Sequence, residues 1–224
     1  MAIIEPFALA IGFLLSYIYD FEVSYGVSIV ILTIIINIII FPLTLRQTRS
    51  TKRMQDAQPE LKRIQKQYKD NKEEMNKKVA EYYKENGINP LGCIVPLLVQ
   101  MPVWFALFRV LREPLLFIPK EAKLYSALGD PLSVLFFNMD LQVPASAINA
   151  WVDRLPYIVL ILFVVGTALI QQNQLTKKQG TTNNPQQQQM QMIGKVMPLF
   201  FGFISWTLPS GLVVYFLTGN IFRI

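Results

Sequence analysis

Long uninterrupted apolar runs alternate with charged or amide-rich stretches along this chain. The run at 27–45, VSIVILTIIINIIIFPLTL, carries no charge. Its nineteen residues, coiled at 1.5 Å each, would cover about 28 Å, close to the thickness of bilayer hydrocarbon. A second run spans 91–111, LGCIVPLLVQMPVWFALFRVL. A third spans 155–170 and extends through the neutral amides to 174. The last apolar stretch, 196–224, is too long for one span. Pro209, Ser210 and Gly211 predict a turn that divides it. The spacing thus predicts a fourth span at 195–208 and a fifth at 210–224.

The polar stretches carry patterns of their own. In 46–87, Met54, Ala57, Leu61, Ile64 and Tyr68 recur at helical spacing, as do Met75, Val79 and Tyr82. A charged helical hairpin within 46–90 follows, with its turn at Asp70-Asn71, its first helix started or kinked by Pro59, and a cap at Asn86-Gly87. Residues 112–154 read as a nearly neutral loop. Residues 171–191 hold twelve Gln or Asn and no apolar period, so a mobile loop is expected over 175–194. The N-terminal stretch 7–19 is short for a span. Ile4, Phe7, Ile11, Leu14 and Ile18 share one helical face, away from Glu5, Gly12, Ser16 and Tyr19. Within 1–26 this favours an amphipathic helix lying on the outer surface, with a sixth span as the alternative.

Composition sharpens the class. Apolar residues make up 52% and charged residues 16% of the 224, against about 25% charged in an ordinary soluble domain. The chain has no His and a single cysteine, Cys93. His-based triads, the commonest metal ligand and a disulfide framework are therefore excluded. The +6 net charge is unevenly placed: 46–87 holds twelve basic residues and seven acids, while 1–26 holds no basic residue. Basic loops alternating with neutral ones put 46–90 and 175–194 in the cytoplasm, the N-terminus outside and the C-terminus inside. The fold class expected is an all-α polytopic membrane protein. It has five transmembrane helices, an N-terminal interfacial amphipathic helix and a cytoplasmic helical hairpin.

Polar side chains inside a bilayer are costly and normally face protein or water. Asn37 lies about 14 Å from the span end at Arg46, Gln100 about 14 Å from Leu91, and Asn220 about 15 Å from Ser210. Three amides from three spans thus fall near one depth, with Thr33, Thr167 and Thr218 adding hydroxyls. Two readings stand: hydrogen bonds that hold helices together, or a polar, water-accessible cavity. Neither is catalytic. The spans hold no carboxylate pair, and the chain has no Walker A run and no G-x-G-x-x-G. An enzyme is not expected, and neither a cofactor nor a metal. On the charged hairpin, Arg53, Lys62, Arg63, Lys66, Lys77 and Lys78 are candidates for docking a cytosolic partner. A solvated face, or one resting on anionic headgroups, is the plainer alternative.

The run MQDAQPELKRIQKQYKDNKEEMNKKVAEYYKENGINPLGCIVPLLVQMPVWFALFRVL closely resembles the YidC, Oxa and Albino membrane protein insertases, in their short bacterial form. FPLTLRQTRSTKRMQ and LPSGLVVYFLTGNIFRI match the same pattern, so the likeness covers nearly the whole chain. The resemblance implies an insertase and chaperone of a bacterial cell membrane that works without nucleotide hydrolysis. It implies a hydrophilic groove open to the cytoplasm and to lipid and closed outside. Its partners would be nascent membrane proteins, the ribosome, the Sec translocon and the lipid bilayer, with no DNA. Relatives usually carry an Arg in the first span where this chain has Asn37. Arg109, Arg112 and Arg223 sit near span ends, so no midplane cation is expected and clients should be inserted with little preference for acidic over neutral tails. Different classes of function compete with this reading: a small-solute transporter or channel, and a structural subunit of a membrane complex.

Overall fold

The computed structural model describes residues 4–88, 95–176 and 185–224. Helices dominate: α1 (Glu5–Tyr19), α2 (Tyr25–Asp56), α3 (Gln58–Gln67), α4 (Lys72–Glu85), α5 (Val95–Arg112), the short α6 (Lys123–Ala127), α7 (Trp151–Thr176), α8 (Pro185–Ser205) and α9 (Ser210–Arg223). One two-stranded antiparallel sheet joins β1 (Leu135–Phe136) to β2 (Met139–Asp140), with Leu135 opposite Asp140. Among the described residues, two helices are long and apolar enough to cross a membrane, Tyr25–Asp56 and Trp151–Gln174. The predicted start of the second span at Leu91 lies outside the described residues.

At the centre is α9. Ser210, Gly211, Leu212, Val213, Val214 and Tyr215 are all buried, so every face of its first turn and a half is covered. It packs against α2, α5, α7 and α8. A Cβ placed on Gly211 would lie 3.1 Å from Cδ1 of Ile29, and one on Gly219 would lie 3.9 Å from Nδ2 of Asn37. Both steps are eight residues, so α2 and α9 run parallel and in register.

The face of α1 that packs shares Ile11 and Ile18 with the apolar stripe expected from spacing but is otherwise rotated from it. Phe7 is exposed and Leu14 half-buried, whereas Ala8, Ile11, Gly12, Leu15, Ser16 and Ile18 are buried. Ala8, Gly12 and Ser16 recur every four residues, and small side chains let helices approach closely. The Ser16 hydroxyl is satisfied by the Phe13 carbonyl at 2.8 Å. Bulky residues point outward instead: Phe7, Leu9, Phe13 and Tyr17. The exposed face of 7–19 is therefore apolar, and its opposite face packs on protein.

Residues 112–150 form a packed cap, where the sequence pattern suggested only a loop. Phe117, Ile118, Leu124, Val134, Met139, Leu141 and Ala145 are buried and belong to the same core as the long helices. The cap also completes α9. The first N–H groups of a helix have no partner within it. Here Ser210 N–H donates to the Val143 carbonyl (3.1 Å) and Gly211 N–H to the Leu141 carbonyl (2.9 Å). Arg154 stacks its guanidinium on Trp151 and Trp206 and donates to the Ile148 carbonyl.

The amide-rich segment also departs from expectation. In place of a loop over 175–194, α7 continues to Thr176 and α8 begins at Pro185. Pro is favoured at a first helical position, and Gln is a good helix former that lets a span extend past its apolar part. Residues 177–184 lie outside the described set.

α3 and α4 pack on each other across residues 68–71. Pro59 stands in the first turn of α3, and Asn71 caps α4 by accepting the Glu74 N–H at 3.2 Å. Gly87, at φ +59°, ends the pair. Leu61 is buried, but no residue of α4 is. Amides of 58–85 should therefore exchange with deuterium at least about tenfold faster than those of 211–219. Equal protection of the two segments would contradict this.

Candidate functional site

Asn37 is buried on α2 and donates from Nδ2 to the Thr33 carbonyl at 2.8 Å. Its Oδ1 faces α9 and takes a contact from Nη2 of Arg223 at 3.5 Å. Gln100, on α5, donates to the Tyr215 hydroxyl of α9. Asn220, on α9, donates to Thr167 Oγ1 at 3.3 Å and to the Val164 carbonyl at 3.4 Å on α7. The three amides thus converge on α9: Asn37 and Gln100 contact it from α2 and α5, and Asn220 projects from it to α7. They do not meet at one point, because Tyr215 and Arg223 are eight residues apart, about 12 Å along α9.

The hydroxyls divide. Thr33 is buried and donates to the Ile29 carbonyl at 2.6 Å, and Thr218 to the Val214 carbonyl at 2.9 Å. Both are satisfied by their own helices. Thr167 also back-bonds, to Phe163 and Val164, but its oxygen still accepts from Asn220. Around Gln100 the wall is aromatic: Trp104 stacks on Phe216 with centroids 6.4 Å apart, and Phe201 meets Phe216 edge-on at 5.6 Å.

Arg223 corrects the expectation that no cation reaches this depth. Side chains on a helix lean toward its N-terminus. Arg223 therefore reaches back a turn, to the level where Gly219 passes Asn37. Phe41 and Phe222, one position away, meet edge-on at 6.5 Å. The signal was present in the sequence as an Arg one turn beyond Gly219-Asn220, but position along the chain alone placed it at the span end. Tyr215 was also missed, since a lone Tyr in an apolar run reads as core.

The six candidate docking cations also separate. Lys62, Arg63 and Lys66 lie on α3, and Lys77 and Lys78 on α4. Arg63 pairs with Glu60 at 3.5 Å and Lys78 with Glu81 at 2.8 Å. The hydrogen bond and charge of Lys78 hold the Glu81 carboxyl below its ordinary range. Arg53 belongs elsewhere, on the last turns of α2 beside Arg46 and Arg49. No group of His, Cys, Asp and Glu able to hold a metal occurs among the described residues.

Comparison with known proteins agrees with the architecture. The profile of the 60Kd inner membrane protein family matches residues 17–224. The membrane protein insertase YidC of Fusobacterium nucleatum is 36% identical over 215 residues, covering 96% of this chain and 89% of that protein. YidC of Pelobacter propionicus is 36% identical over 212 residues, 94% of this chain but 35% of its own length. The chain therefore spans about a third of that longer relative. A crystal structure of an active YidC insertase with its first transmembrane domain resolved superposes with a TM-score of 0.60 at 24% identity. It covers 92% of this chain and 42% of the other, and the likeness is one of fold.

Proposed function

Because this chain belongs to the 60Kd inner membrane protein family, we propose that it is a membrane protein insertase and chaperone of the bacterial cell membrane. It crosses the bilayer five times, with α3–α4 on the cytoplasmic side and the cap outside. Nascent membrane proteins are its substrates, with the ribosome and the Sec translocon as further partners. The observation that carries this reading is the row of polar groups along α9: Gln100 with Tyr215, Asn37 with Arg223, and Asn220 with Thr167. Such a row offers hydrogen bonds within the membrane to a client's polar segment. Its apolar segment meanwhile moves into lipid, driven by about 25 cal/mol for each Å² of apolar surface removed from water. No nucleotide hydrolysis is needed for that transfer.

The cap supports a groove closed at one end. It covers the start of α9 and packs against α1 and α2, while Arg223 at the other end of α9 is exposed. A photocrosslinking residue at position 37, activated during translation, tests the proposal. Adducts to nascent chains are the expected result. Their absence would favour a solute transporter, and adducts to one mature protein would favour a structural subunit.

A further inference from the structure

Outside the row on α9, three arginines stand together. Arg46, Arg49 and Arg53, with Ser50, Gly87 and Ile88, line a cavity of about 220 Å³ between α2 and the residues that end α4. On a helix, positions i, i+3 and i+7 fall within about 60° of one another. The three guanidinium groups therefore share one face. None of them makes an ion pair among the described residues. The facing wall is open at Gly87, where even a Cβ would meet nothing within 4 Å.

Depth identifies the occupant. The uncharged run of the first span ends at Leu45. Arg46, Arg49 and Arg53 follow by about 1.5, 6 and 12 Å along the axis. The polar layer on each side of the hydrocarbon is roughly 5–8 Å deep. Arg46 and Arg49 thus lie within it. Arg53 stands just beyond, with its side chain leaning back toward the membrane. A guanidinium fork matches phosphate oxygens in pairs. We infer that this cavity is a binding site for the phosphodiester headgroup of an anionic lipid, of the phosphatidylglycerol class. Basic pockets at this level of membrane proteins suit such headgroups. An RNA backbone would have to enter the headgroup layer to reach Arg46. The inference rests on the first span crossing the bilayer and is independent of the insertase reading.

Titration of the detergent-purified full chain with phosphatidylglycerol, followed by native mass spectrometry, tests it. One saturable lipid is expected. The triple variant Arg46→Gln, Arg49→Gln, Arg53→Gln should bind it roughly a hundredfold more weakly. Arg49→Gln alone should bind about fivefold more weakly, which keeps the test readable if the triple variant does not fold. Lys62→Gln, Lys66→Gln, Lys77→Gln removes the same charge from α3 and α4 and should leave affinity within about threefold. Equal weakening by the two triple variants would reduce the site to diffuse charge and overturn the inference. Displacement of the lipid by equimolar inorganic phosphate, phosphatidylcholine or single-stranded RNA would also overturn it. Each would assign the cavity to free phosphate, to any phosphodiester lipid or to nucleic acid.

Discussion

Gly12→Ala is expected to destabilise the protein by about 2–3 kcal/mol, seen as a fall of roughly 4–12 °C in the unfolding midpoint in detergent. The added Cβ would stand 2.4 Å from the Phe117 carbonyl oxygen and 2.9 Å from its carbon. Both are backbone atoms, so no rotamer change relieves the overlap; α1 and the cap must separate. Gly26→Ala presses instead on the ring of Phe136, 2.2 Å from Cγ, and Gly202→Ala on Cγ2 of Val165 at 2.5 Å. At Gly26 the Cβ of Phe136, at 2.8 Å, is tied to the backbone, so a loss comparable to that at Gly12 is expected, whereas at Gly202 only a methyl must give and the loss should be smaller. Gly166→Ala meets nothing within 4 Å and should be close to neutral. Heating followed by size-exclusion chromatography ranks the four variants. A Gly12→Ala midpoint within about 2 °C of the parent would mean that the cap is not seated on α1.

Arg223→Gln is expected to lower insertion of clients with acidic translocated tails by roughly ten- to hundredfold, and to spare neutral tails. A charge-assisted hydrogen bond contributes about 1.5–3 kcal/mol. The guanidinium is held at the depth of Asn37 by a 3.5 Å contact, so an acid entering the row would meet it there. Asn37→Leu removes that contact but keeps the charge of Arg223. It should weaken acidic clients less than loss of the charge does, and polar tails more than apolar ones. Insertion yield in reconstituted vesicles, for one client whose tail acids are changed stepwise to amides, measures both. If Arg223→Gln keeps the parent's dependence on tail acids, the charge comes from another residue. If Asn37→Leu changes no client, the amide serves helix packing alone.

Apolar runs are legible in a sequence because a helix in lipid must be apolar along its length. Asn37, Gln100 and Asn220 stood out for the same reason, since an amide there is costly. Partnership is a different matter. Nothing in the runs told that Ile29 and Gly211 touch, because lipid and protein neighbours both accept an apolar side chain. On α1 that ambiguity showed: of the expected stripe Ile11 and Ile18 are buried but Phe7 is exposed, and Ala8, Gly12 and Ser16 join the packed face. Bulk that would fill a soluble core points outward here. The cap was unread because its buried residues, among them Phe117 and Leu141, are scattered through turns with no period of 2 or 3.6. Arg223 was misplaced because residue count measures where a Cα lies, and a long side chain ends about a turn away.

The parallel pairing of α2 with α9 also sets a timetable for biosynthesis. Asn37 and Arg223 are 186 residues apart. At roughly 5–20 residues per second, Asn37 leaves the ribosome some 10–40 s before its partner exists. Gln100 and Thr167 wait in the same way for Tyr215 and Asn220. Throughout that interval the half-made bundle holds amides short of their partners on α9, and an α9-shaped vacancy. Each newly made copy is thus itself a polar-bearing nascent membrane protein, in need of shelter until α9 arrives.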